Sequence, residues 1–86
     1  RFYKATPKKG EPIFLECERA NDARRVGTVM AGGADVDVVM VEAEEMPRER
    51  VQVRWVGSAA RRVPDLRIQT RRILADGNAR KWKDLR

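Results

Sequence analysis

Five short segments, in which apolar and polar side chains largely alternate, constrain the fold of this chain more than any other feature of its sequence. They span residues 12–19, 24–31, 35–44, 50–57 and 66–74. Successive side chains of an extended strand point to opposite faces, so an alternation with a period of two predicts half-buried β-strands. Five such strands in sequence, separated by turn residues, are typical of a small antiparallel sandwich or barrel.

Glycine and proline separate these segments. The Gly32–Gly33 pair supplies the positive φ that tight turns need, and it predicts a β-hairpin between the second and third segments. Residues 1–12 contain two prolines and a glycine, which predicts an irregular N-terminal arm.

A helical interpretation also exists for ERANDARRV and for VEAEEMPRERVQV, because Ala, Glu and Arg favour helix. Gly27, Pro47 and the valine-rich flanks argue against a long helix in either stretch. We therefore predict an all-β fold, a small five-stranded antiparallel barrel or sandwich.

The length predicts one small domain that covers residues 1–86. Its last part, residues 78–86, predicts a short C-terminal helix, with Trp82 and Leu85 three positions apart on one side. The chain opens on Arg1 rather than on Met, so one expectation is that it is a piece of a longer protein.

The composition excludes some classes of protein. No apolar run approaches the roughly 20 residues that a membrane span needs, so no membrane partner is expected. Cys17 is the only cysteine and cannot form an intrachain disulfide, which predicts a reducing, cytoplasmic location. The chain contains no histidine, the commonest general base and metal ligand.

Parts of the sequence resemble two known families. KKGEPIFLE, RRVGTVMAGG and DVDVVMVE are distantly similar to the strand–glycine–strand pattern of KOW-type SH3-like nucleic-acid domains. PDLRIQTRRILADG resembles the closing strand of retroviral integrase C-terminal domains, which are SH3-like and bind DNA. These resemblances cover most of the chain and imply an SH3-like barrel. The paired glycines around the first turn of KOW-type domains are missing between Glu16 and Arg25, so no functional residue is carried over.

The basic residues suggest a partner. The net charge is +6, and fourteen of the nineteen basic residues are arginine. Arginine binds phosphate through a planar fork of donors, which favours contact with nucleic acid. An arginine-rich composition can also come from a GC-rich genome, and the sequence leaves both explanations open.

Alternation places basic and amide side chains of the fourth and fifth segments on a shared face, if the two segments pair. Like charges side by side repel, and the phosphates of a nucleic-acid backbone would neutralise them. The sequence therefore predicts a non-catalytic module that binds DNA or RNA. The candidate residues are Gln52, Arg54, Arg61, Arg62, Arg67, Gln69 and Arg71.

Other interpretations of this face remain open. The arginines could form a solvated surface and pair with the carboxylates of Glu16, Glu18, Asp37 and Glu42. The chain could instead be a protein-interaction or assembly domain, or form a homo-oligomer, through exposed strand edges.

The aromatic residues also have two interpretations. Trp55 falls on the apolar side of its segment, which predicts core packing. Phe2, Tyr3 and Trp82 lie beside basic residues, so they could stack on bases or close the ends of the barrel.

No motif predicts an enzyme, a metal site or a cofactor. Gly32–Gly33 lacks the Lys-Ser/Thr of a phosphate-binding loop. The acidic run EAEEMPRER is expected to be a solvated loop. Cys17 lies between Glu16 and Glu18, whose charges disfavour the thiolate, so a core position is expected rather than a nucleophile.

Overall fold

The computed structural model describes residues 1–56 and 67–85. These ranges contain six β-strands, one α-helix and a 3₁₀ turn at Ala43–Glu45. In chain order the main elements are β1 (Phe2–Pro7), β2 (Ile13–Glu16), α1 (Ala20–Met30), β3 (Val36–Val41), β4 (Arg50–Val56), β5 (Arg67–Ile73) and β6 (Lys83–Asp84). The mostly-β character is confirmed, and four of the five predicted strands are present.

The six strands form one open sheet in the order β3-β1-β2-β4-β5-β6. All neighbouring pairs are antiparallel except β2 and β4, which are parallel. The prediction of five antiparallel strands closed into a barrel is therefore wrong. Within the described residues, β3 and β6 lie at opposite edges and the sheet does not close on itself.

The N-terminal residues predicted to be an irregular arm contain β1, which lies inside the sheet between β3 and β2. Tyr3 and Ala5 are buried, while Phe2, Lys4 and Thr6 point to the other face. Pro7 closes the strand without interrupting it, because proline is tolerated at strand ends.

The second predicted strand is the helix α1. Ala23, Val26 and Gly27 are buried at spacings of three and four residues, the pattern of one helical face. The helix ends at Met30, and its C-cap Ala31 is followed by Gly32 and Gly33, whose φ angles are 73° and 95°. Their N–H groups donate to the carbonyls of Val29 (3.1 Å) and Thr28 (2.8 Å). These are the bonds of a Schellman motif, so Gly32–Gly33 ends a helix rather than forming the predicted hairpin.

The core lies between α1 and one face of the sheet. Its buried residues are Tyr3, Ala5, Leu15, Cys17, Ala23, Val26, Val36, Val51 and Ile68. The helix packs mainly on β1, β3 and β2. A bond from Trp55 Nε1 to Asp22 Oδ2 (3.1 Å) ties the start of α1 to β4. Trp55 lies on the helix side, as predicted, but it keeps 39% of its surface exposed.

The C-terminal helix predicted at 78–86 is also not found in the described part of this segment, where β6 pairs with β5. Leu85 donates its N–H to the carbonyl of Ile68 (2.8 Å) and packs against the core. In extended backbone, Trp82 and Leu85 point to opposite faces, so each reaches a different side of the sheet.

Among the described residues, no helix has the length and apolar character that crossing a membrane requires.

Candidate nucleic-acid interface

The register of β4 and β5 brings the predicted polar residues of both strands onto one face. Gln52 pairs with Arg71, and Arg54 pairs with Gln69. Val51, the neighbour of Gln52 in β4, is buried on the helix side. The polar set therefore lies on the opposite side, which we call the open face. The pairing on which the sequence prediction depended is confirmed.

Each glutamine on the open face joins an arginine to a carboxylate. Gln52 accepts a hydrogen bond from Arg71 Nε at 2.7 Å and donates to Glu16 Oε2 at 2.8 Å. Gln69 repeats this arrangement: its Oε1 accepts two bonds from Arg54, at 3.2 and 2.9 Å. Its Nε2 donates to Asp84 Oδ1 at 3.0 Å.

These two chains, which we call the glutamine relays, orient the guanidinium groups of Arg54 and Arg71. Within the described residues, neither group forms a direct ion pair. A guanidinium group has five N–H donors. Arg71 uses Nε in its relay, and Arg54 uses Nε and Nη2. Further donors on both groups can therefore bind an anion.

Trp82 completes this arrangement. The guanidinium carbon of Arg54 lies 4.1 Å from the centroid of the Trp82 ring, and that of Arg71 lies 4.6 Å from it. Each contact is a cation–π interaction worth about 0.5–2 kcal/mol, depending on its exposure to solvent. The ring therefore restrains two cations on neighbouring strands.

Two other arginines on the open face do have carboxylate partners. Arg67 Nη1 lies 3.3 Å from Asp84 Oδ2, and both side chains are about half exposed. Arg50 Nε lies 3.3 Å from Glu16 Oε2. Asp84 offsets part of the charge of Arg67, so Arg67 is a weaker candidate than Arg54 or Arg71. The difference is small, because an exposed pair of this kind is worth about 1 kcal/mol or less.

The alternative interpretation, a solvated surface whose arginines pair with carboxylates, therefore holds only in part. Of the four carboxylates considered for it, Glu16 forms an ion pair within the described residues, and Asp84 supplies the other. Arg61 and Arg62, also predicted for this site, lie outside the described residues. Sequence reasoning left Trp82 and Asp84 out of the site, although ARKWKDLR interleaves an aromatic residue with cations.

In residues 1–56 and 67–85, no cluster of three metal-ligating side chains occurs. Burial raises the pKa of the Cys17 thiol to about 11, with a further contribution from the charge of Asp22. The sequence argument invoked Glu16 and Glu18 instead. Cys17 fills a core position, as predicted, and is 5% exposed.

Comparisons of the chain with protein-family models, with curated proteins and with solved structures gave no significant match. The resemblance to KOW-type and integrase C-terminal domains therefore stays a prediction.

Proposed function

We propose that this domain is a non-catalytic module that binds the phosphate backbone of DNA or RNA on its open face. Arg54 and Arg71 contact phosphates, and Gln52 and Gln69 hold the two guanidinium groups in position. Arg67 adds charge at the edge, and Arg61 and Arg62 keep the reinforcing role that the sequence suggests for them.

One observation carries this proposal: Arg54 and Arg71 are held by amide oxygens and an aromatic ring. A guanidinium group already neutralised by a carboxylate gains little from a phosphate. A guanidinium group held by neutral partners keeps its full charge, and its position is fixed before the ligand arrives. Binding then costs less side-chain entropy.

The test is the double substitution Arg54→Gln and Arg71→Gln. We expect affinity for duplex DNA to fall about tenfold on any sequence, because phosphate contacts carry no sequence information. The slope of log affinity against log salt should become shallower by about 1.8, or about 0.9 for each lost phosphate contact. A salt-series titration by fluorescence anisotropy measures both quantities.

The matched control is Lys8→Gln with Lys9→Gln, which removes the same charge from the exposed turn between β1 and β2, outside the glutamine relays. We expect less than about a twofold loss of affinity in this control, because exposed charges at a distance are screened by salt. An equal loss in both double variants would mean that net charge alone drives binding, and would contradict the proposal.

A second candidate function is protein assembly through the β3 edge. Val39 is 50% exposed and Met40 is 61% exposed on this edge strand. An unpaired strand edge with apolar side chains can add to the sheet of another molecule. Light scattering with and without a random oligonucleotide separates the candidates: assembly gives concentration-dependent oligomers that ignore the oligonucleotide.

We also place the domain in the cytoplasm, on the argument that its one cysteine is a buried thiol suited to a reducing compartment. Fractionation of cells that express the full protein tests this assignment.

A further inference from the structure

The strand β5 carries arginine on both of its faces. Arg72 pairs with the buried Val51 of β4, so it points to the helix side of the sheet and away from the open face. Lys83 of β6 pairs with Thr70 and points to that same side. A second basic surface therefore lies behind the one that the sequence predicts.

This surface is a groove of about 740 Å³ beside the end of α1. Its volume lies in the range of small-molecule and cofactor sites. Its basic lining residues are Arg71, Arg72, Arg80, Lys81 and Lys83. Arg71 is partly buried and also belongs to the open face, whereas the other four are exposed. Met30, Val51, Thr70 and Leu74 complete the lining.

The balance of charge supports the groove as a second site for anions. The open face includes Glu16 and Asp84, which offset part of its positive charge. The described lining of the groove contains no carboxylate. The acidic groups nearby are Glu11 and Glu49, which share a smaller neighbouring pocket with Arg72 at one end of the groove.

We propose that this groove binds one strand of single-stranded nucleic acid. The basic side chains contact successive phosphates, and the apolar lining packs against unpaired bases. A duplex hides the faces of its bases in the stack, so it cannot use the apolar part of the groove. This inference rests on the proposed function and adds both a second site and a preference for single strands.

The test is the double substitution Arg72→Gln and Lys83→Gln, which we call the groove variant. It is compared with the Lys8/Lys9 control and with Arg54→Gln plus Arg71→Gln, the open-face variant, whose duplex affinity reports on the open face because Arg71 also lines the groove. The probes are a labelled oligo-dT of about 15 nucleotides and a duplex of the same length. We expect the groove variant to lose about fivefold or more in affinity for the single strand, with a salt slope shallower by about 0.7 per lost contact. Its affinity for the duplex should stay within about twofold of the wild type.

The three variants distinguish the possible failures. The groove proposal is overturned if the groove variant binds oligo-dT as well as the Lys8/Lys9 control does. It is also overturned if the groove variant loses affinity equally for both probes. In either case the proposed function stands if the open-face variant loses affinity for the duplex. A wild-type protein that binds neither probe at low salt overturns the proposed function and the groove together. Thermal unfolding followed by circular dichroism verifies that each variant is folded, since all substituted side chains are at least partly exposed.

Discussion

Gly27 lies where α1 comes closest to the sheet. A Cβ atom added to it would lie 2.8 Å from the Cβ of Ala5 and 3.2 Å from Cγ2 of Val36. Real Cβ atoms essentially never approach another atom to 2.8 Å, so the helix would have to move. In a helix, alanine is up to about 1 kcal/mol more favourable than glycine, but overpacking a core costs about 1–3 kcal/mol. The close contact with a rigid Cβ makes overpacking the larger effect.

We therefore expect Gly27→Ala to lower the free energy of unfolding by about 1–2 kcal/mol, measured by urea denaturation. Arg25→Ala, at an exposed position of the same helix, should stay within about 0.5 kcal/mol of the wild type. Adding Ala5→Gly to Gly27→Ala removes the 2.8 Å contact, so the double variant should recover part of the loss. If Gly27→Ala is as stable as the wild type, the close approach is not what selects glycine.

This residue also explains why sequence reasoning missed the helix. A glycine within the segment argues against a helix when propensity alone is considered. In the folded chain its lack of a side chain is what allows α1 to contact β1 and β3. The alternation of Val26, Thr28 and Met30 also fits a strand, and only the buried spacing of Ala23, Val26 and Gly27 distinguishes a helix.

Among the elements, β6 is the shortest strand and the one that positions Trp82 on the open face. The ring contacts Arg54 and Arg71, which lie on two different strands. We expect Trp82→Ala to lower affinity for duplex DNA about three- to tenfold with no change in charge, because both guanidinium groups become mobile before binding. Trp82→Phe keeps a weaker aromatic face and should recover part of that loss.

The salt slope separates positioning from direct contact. Since no cation is removed, the slope for Trp82→Ala should stay near the wild-type value, unlike that of the Arg54/Arg71 variant. A slope that falls in parallel with affinity would mean that Trp82 has another role. Thermal unfolding of the same variant shows whether β6 stays attached to β5.

At the level of elements, the sequence predicted the parts that depend on alternation alone. The period of two in β4 and β5 fixed which side chains share a face, and the register places them as expected. It could not predict β6, because two paired residues are too few to show a period. It also could not predict the parallel pairing of β2 with β4, which depends on tertiary contacts between distant segments.

Across the whole molecule, charge is divided between the two edges of the sheet. The β3 edge carries exposed carboxylates. The opposite edge, formed by β5 and β6, carries basic side chains: Arg67, Arg71, Arg72 and Lys83. The exposed acidic residues near β3 are Asp35, Asp37, Glu42, Glu44 and Glu45. A domain with this polarity approaches a polyanion with its β5–β6 edge first.

The assembly function can be tested by a substitution on the β3 edge. If it adds to another sheet, the protein should associate as its concentration rises, and Met40→Lys should abolish this association, because a lysine blocks an exposed strand edge. Static light scattering over a concentration series measures the effect, and Lys8→Gln, in the turn between β1 and β2, serves as a control outside β3. A wild-type protein that stays monomeric throughout the series removes this candidate.

The parallel pairing of β2 with β4 has a consequence for how the domain holds together. Every other strand pairing in the described residues lies within the first forty-one residues or within the stretch from β4 onward. The sheet thus consists of two locally paired halves whose strands meet along a seam of two residue pairs, Leu15 with Val51 and Glu16 with Gln52. The Trp55–Asp22 hydrogen bond and the Arg50–Glu16 ion pair also join the halves. One glutamine relay crosses this seam, so a ligand that tightens Arg71 against Gln52 also fastens the two halves to each other.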